Sequence, residues 1–188
     1  FSKVGGIELP TAWPRMTYAE AIRRYGSDKP DLRFDMELVD LSDKLRDTDF
    51  APFAAALATR TSTSASGDDD TRGQGCPRSA GEIKCIVAKG KADYSRKQLD
   101  DLQDFVKRYG AGALAWIKVG APSVGTADDA DDGTTSSLMK VLGRPKIDEL
   151  IAASGADHGD LVLIVAGRKS VVAASLGALR IEIAKREN

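Results

Sequence analysis

The chain has 188 residues, enough for one sizeable hydrophobic core or for one domain with part of another. With 42% hydrophobic and 29% charged residues it is not a collagen, a coiled coil or a fully disordered chain. Lys and Arg number 27 against 28 Asp and Glu, a formal net charge of -1, so any nucleic-acid contact must come from a local patch. Two cysteines cannot build a disulfide framework, and no apolar run approaches the ~20 residues of a membrane span. The opening Phe1-Ser2-Lys3-Val4 is not a signal peptide and lacks an initiator Met. A cytoplasmic protein with no membrane contact, cut from something longer, is the expectation.

Residues 1–14, with two prolines and two glycines, read as loop or connecting strand. Thr17 and Glu20 have the spacing of a capping box that opens a helix Tyr18–Tyr25, and Gly26 suits its C-terminal cap. Residues 27–31 are turn chemistry, with Pro30 steering Lys29 away from helix. Met36–Leu41 is a strand candidate, Ser42 caps a turn through Leu45, and Phe50, Phe53 and Leu57 form a small apolar cluster. Residues 59–81 contain no large apolar side chain and are expected to be a mobile loop, since they bury too little to offset the entropy of ordering. Ile83–Ala88 resumes as a strand.

Ser95 and Gln98 form a second capping box. Behind it Leu99, Leu102, Phe105, Val106 and Tyr109 share one helix face, and Gly110 ends the helix. Ala113–Val119 reads as a buried strand, and residues 120–137 as a second polar loop. Leu138–Leu142 is a short helix, and Pro145 fits the first turn of another that runs to Ala153. Leu161–Ala166 is the most apolar strand and belongs in the middle of its sheet. A final helix over 169–185 carries Val171, Val172, Leu176, Leu179 and Ile183. The order favours α+β, helices packed on one sheet. Trp116 and Phe105 are expected to be buried in one core.

Catalytic chemistry is hard to find. His158 is the only histidine, Cys76 and Cys85 have no zinc spacing, and the aspartates at 128–132 fail the EF-hand pattern at Ala130 and Met139. No phosphate-loop pattern opens a helix after a strand, and no nucleophile sits beside a base. Neither a catalytic residue nor a metal ligand is therefore assigned. Basic residues remain: Arg96 and Lys97 in the first turn of their helix, where the macrodipole disfavours cations, Lys107 and Arg108 at its far end, and a net-basic stretch from Arg168 onward. Phosphate binding would reward such placements.

The run Pro14-Arg15-Met16-Thr17-Tyr18-Ala19-Glu20-Ala21, followed by Tyr25-Gly26-Ser27-Asp28-Lys29-Pro30-Asp31-Leu32-Arg33-Phe34, resembles bacterial-type aspartyl-tRNA synthetases. In that family this stretch closes the class II catalytic segment after motif 2 and leads into the GAD insertion, a domain shared with subunits of tRNA-dependent amidotransferases. Ser95-Arg96-Lys97-Gln98, Tyr109-Gly110-Ala111, Leu114 to Val119, Gly159-Asp160, Ala166-Gly167 and Leu176 to Arg180 resemble successive parts of the insertion. The resemblance implies residues 1–34 as catalytic-domain segment and 35–188 as a GAD-type α+β domain with a mainly antiparallel sheet. It also implies a parent, of homodimeric kind, that joins aspartate to its tRNA with ATP and magnesium. The family's ATP- and aspartate-binding motifs lie outside this stretch, so the fragment itself is expected to be inactive and to hold no cofactor. Arg96, Lys97, Lys107 and Arg108 are then the RNA-contact candidates. Lys29 and Arg33 would meet the catalytic core or the acceptor end. The alternative is a tRNA-binding module of an amidotransferase subunit.

Overall fold

A computed structural model describes residues 15–48, 50–58, 81–120 and 133–186. The expectations for residues 1–14, for most of the two polar loops and for Cys76 fall outside the described residues. In chain order the elements are α1 (Tyr18–Tyr25), β1 (Val39–Asp40), α2 (Ala51–Ala58), β2 (Gly81–Ala88), α3 (Arg96–Lys107), β3 (Ala115–Lys118), β4 (Thr135–Ser136), α4 (Met139–Ser154), β5 (Leu161–Arg168) and α5 (Lys169–Arg186). The five strands form one antiparallel sheet in the order β1-β2-β5-β3-β4. The apolar run at 161–166 is therefore central, as its composition demands.

Side chains alternate across β5 and feed two cores. Leu161, Leu163 and Val165 join Ile86, Leu102, Val106, Leu176 and Leu179 beneath α3 and α5. Val162 and Ile164 join Ile83, Cys85, Ile117, Ile147 and Leu150 on the opposite face, against α2 and α4. The fold is thus α+β with helices on both faces of the sheet, and β5 is buried from each side.

Local signals explain most boundaries. At Ser95 both halves of the capping box are made: its hydroxyl accepts from the Gln98 N–H, and the Gln98 side chain accepts from the Ser95 N–H at 2.8 Å. At Thr17 only one half is: the hydroxyl accepts the Glu20 N–H, while the Glu20 carboxylate pairs with Arg24 one turn on. Gly26 closes α1 in the left-handed region at φ 70°. In α4 the two expected helices run together across a kink at Gly143, with Pro145 in the first turn of the second.

Several expectations need correction. The strand at 36–41 is reduced to Val39–Asp40: Met36 takes φ 88°, and the Leu38 N–H donates to the Arg24 carbonyl at 2.7 Å instead of to the sheet. Ser42 does not cap the following turn; its hydroxyl accepts the Ile83 N–H at 2.9 Å and ties that turn to β2. The cluster around Phe53 is a helix, α2, with Phe50 and Phe53 edge to face at 4.9 Å between centroids. The end of the second polar loop pairs as β4, where Ser136 lies opposite Ile117. Phe105 and Trp116 do pack against the same core but are only half-buried at its margin, and Tyr109 is exposed.

Candidate functional site

The expected RNA-facing residues all lie on or just past α3. Arg96 and Lys97 open it and Lys107 and Arg108 close it, about 16 Å apart along the axis at 1.5 Å per residue, so the two pairs form separate ends rather than one patch. The helix also carries Asp100, Asp101 and Asp104. Arg96 reaches Asp100 at 3.3 Å, and Lys107 reaches Asp104 at 2.9 Å, holding that carboxyl below its ordinary range. All four basic residues are exposed. Exposed pairs of this kind are worth ~0–1 kcal/mol, so they leave the cations available to a stronger anion.

Lys29 and Arg33 lie in the turn after α1. Lys29 is exposed, its backbone N–H donating to the Ser27 hydroxyl at 3.1 Å. Arg33, also exposed, donates from its side chain to both Asp31 carboxylate oxygens, and its backbone N–H also donates to that carboxylate. These bonds hold the Asp31 carboxyl down at about 2. The two residues thus sit on one turn, but Arg33 is turned back onto its own neighbour.

That turn is seated on α5, and here the structure shows what sequence reasoning missed. α1 ends against α5 at a contact with no room for a side chain: a Cβ on Gly177 would lie 2.6 Å from the Gly26 carbonyl oxygen, and one on Gly26 would lie 2.2 Å from the Ala173 oxygen. One turn along α5, Arg180 is 1% exposed. Its guanidinium lies over the rings of Tyr25 (4.8 Å) and Phe34 (5.1 Å). Its Nε donates to the Met36 carbonyl at 2.6 Å and its Nη2 to the Asp31 carbonyl at 3.3 Å. Burial pulls its pKa down, while Tyr25, Asp31 and Glu37 oppose the shift through space. Arg24 completes the seat by pairing with Glu37, which also accepts from the Tyr25 hydroxyl at 3.3 Å. Between the turn and α5 is a cavity of about 250 Å³, lined by Ser27, Lys29, Asp31, Ala174, Gly177 and Arg180 among others. Of the basic tail read from sequence, Arg180 is internal and Arg186 pairs with Glu182 at 2.9 Å, while Arg168, Lys169 and Lys185 are exposed.

Two further polar features serve the scaffold. The buried Asp160 carboxylate accepts the N–H groups of Gly90 (2.8 Å) and Asp157 (2.9 Å), joining the turn after β2 to the one before β5. On β2, Glu82 and Lys84 form a buried pair at 3.4 Å; desolvation pushes the Glu82 carboxyl up against the pull of Lys84. His158 is an exposed turn residue 2.7 Å from the Gly120 carbonyl oxygen. Among the described residues no three His, Cys, Asp or Glu side chains converge to hold a metal ion, and no helix is long and apolar enough to cross a membrane. The larger cavity, about 400 Å³ and apolar, lies among Phe50, Phe53, Leu114, Leu138 and Ala166 and presents no convergent set of reactive groups.

Comparison with known proteins covers both the sheet domain and the turn that precedes it. The aspartate–tRNA ligase of Staphylococcus aureus strain Newman is 44% identical over 184 residues, which is 97% of this chain and 26% of the relative. The ligases named alike from strains JH1 and Mu3 match to the same extent. The chain spans about a quarter of the length of the curated relatives it matches. A family model described as GAD domain matches residues 77–176, from β2 into the first half of α5. With more than half of the sequence inside that match, and β2 to β5 with α3 and α4 lying within it, the chain belongs to the GAD domain family.

Proposed function

We propose that this chain is the non-catalytic insertion of an aspartate–tRNA ligase, together with the end of the catalytic segment that leads into it. The observation that carries the proposal is the 44% identity to aspartate–tRNA ligases over 97% of the chain. That coverage takes in the Gly26-Ser27-Asp28-Lys29-Pro30-Asp31 turn, outside the family match. An amidotransferase module is the weaker reading because it leaves this turn unexplained. In the proposed parent, residues 1–34 belong to the catalytic domain and 35–188 to the insertion. ATP, magnesium and aspartate are held by parts of the parent beyond this stretch, as the family resemblance implies. The parent works in the cytoplasm, as a homodimer, on the tRNA for aspartate.

Within that scheme Arg96, Lys97, Lys107 and Arg108 face the RNA, and Lys29 and Arg33 face the catalytic core or the acceptor end. Genetic complementation tests the parent. A strain depleted of its own aspartate–tRNA ligase should grow when supplied with the complete polypeptide carrying this sequence, and should fail with residues 1–188 alone. Growth on the short chain would refute a non-catalytic role. Charge reversal at Arg96 and Lys97 in the complete polypeptide should weaken tRNA binding and flatten its salt dependence. Unchanged affinity and salt slope would remove those two residues from the interface.

A further inference from the structure

The chain enters the sheet domain past Met36 and leaves it along α5, and Arg180 ties the two together. The residues it grips, Asp31, Phe34 and Met36, come before the first strand, while Arg180 itself lies beyond the last residue of the family match. A buried cation is an expensive way to fill space, and an apolar side chain of similar volume would serve a core equally well. A guanidinium does something that an apolar side chain cannot: its planar fork fixes two carbonyls in direction as well as distance, and its charge is attracted to the faces of nearby rings. The neighbouring Gly26–Gly177 contact locks the same segment at van der Waals range. Among the described residues both hydrogen bonds of Arg180 go to backbone carbonyls of the lead-in, and with the Phe34 ring contact they set the path of residues 31–36.

We propose that Arg180 is a positioning residue: it clamps the entry of the insertion to its exit and thereby fixes the direction in which residues 27–34 meet the catalytic domain of the synthetase. This role rests on the parent assigned above. It is distinct from RNA contact, because Arg180 is enclosed and α3 is not.

The test uses the complete polypeptide carrying Arg180→Met or Arg180→Lys, read in two ways. In amide hydrogen exchange, R180M should speed exchange across residues 27–38 at least tenfold, with β2, β5 and α3 changed less than twofold. In aspartate charging, R180M should lower kcat at least tenfold with KM for ATP and aspartate changed less than threefold. R180K keeps the charge without the fork and should fall between R180M and wild type in both. Uniformly faster exchange throughout the sheet would reduce Arg180 to a core residue and overturn the proposal. So would a loosened 27–38 segment with charging within twofold of wild type. If the wild-type polypeptide charges no aspartate, the parent is wrongly assigned and the role in charging falls with it, while the exchange readings still decide the clamp.

Discussion

Gly177 lies inside α5, where a glycine costs a helix ~1 kcal/mol relative to alanine, so propensity alone makes Gly177→Ala a stabilising change. The structure reverses that sign. The added Cβ would lie 2.6 Å from the Gly26 oxygen, 2.9 Å from the Gly26 carbonyl carbon and 3.1 Å from the Tyr25 oxygen. All three are backbone atoms, so no side chain can rotate away, and α1 must separate from α5. Overpacking costs ~1–3 kcal/mol, and separation also stretches the two Arg180 bonds to the lead-in, each charge-assisted bond being worth ~1.5–3 kcal/mol if lost. Set against the propensity gain, the net expectation is a destabilisation of about 1–3 kcal/mol, read as a melting temperature lowered by about 3–10 °C for a chain of this length. Thermal unfolding followed by circular dichroism measures it. A melting temperature equal to or above wild type would show that α1 is not seated on α5 as described, and would take the clamp with it.

Gly26→Ala should cost at least ~1 kcal/mol more than Gly155→Ala: both positions are left-handed, a conformation that costs an L residue ~1–2 kcal/mol, but only Gly26 also meets backbone. Equal losses in paired melts would contradict the contact. Ser175, whose buried hydroxyl has no hydrogen-bond partner among the described residues, should gain ~0.5–2 kcal/mol on replacement by Ala, and a loss in denaturant titration would mean that the hydroxyl is satisfied. Asp160→Ala removes a buried carboxylate that accepts two backbone N–H bonds and should lower stability by ~1.5–3 kcal/mol, while a change below ~0.5 kcal/mol would dismiss its role in joining the two turns. Asp31 should titrate near pH 2 by NMR and return towards 3.8 in Arg33→Ala. Because the folded state lowers this pKa, the stability it contributes is present above pH 3.8 and is lost as the pH falls through 2. A midpoint unchanged by R33A would break the assignment of the pair.

The parts of the fold that sequence reveals are those whose signals are local. Ser95 and Gln98 satisfy each other's backbone within four residues, and Leu161–Ala166 is apolar at every position because both of its faces are covered. Shorter or less periodic elements gave no such sign. β4 is two residues long and exists only because β3 offers it an edge; α2, mostly alanine, has little amphipathic face to recognise. Trp116 misled because an apolar run does not show how much of each face is covered, and β3 lies near the end of the sheet. Arg180 was visible as one more cation in a basic tail. Its burial depends on Tyr25 and Phe34, rings far away in the chain, and on two carbonyls that carry no residue type at all. The candidate cations on α3 were legible as a list, whereas their spacing into two ends and their interleaving with aspartates required the helix itself.

The most direct test of the central claim is aspartate charging of the tRNA for aspartate, run in parallel with the complete polypeptide carrying this sequence and with residues 1–188 alone. The account predicts ATP-dependent charging by the complete polypeptide, and neither charging nor aspartate-dependent pyrophosphate exchange by the short chain. Charging by the short chain, or a complete polypeptide that ignores aspartate and amidates a charged tRNA instead, would contradict it.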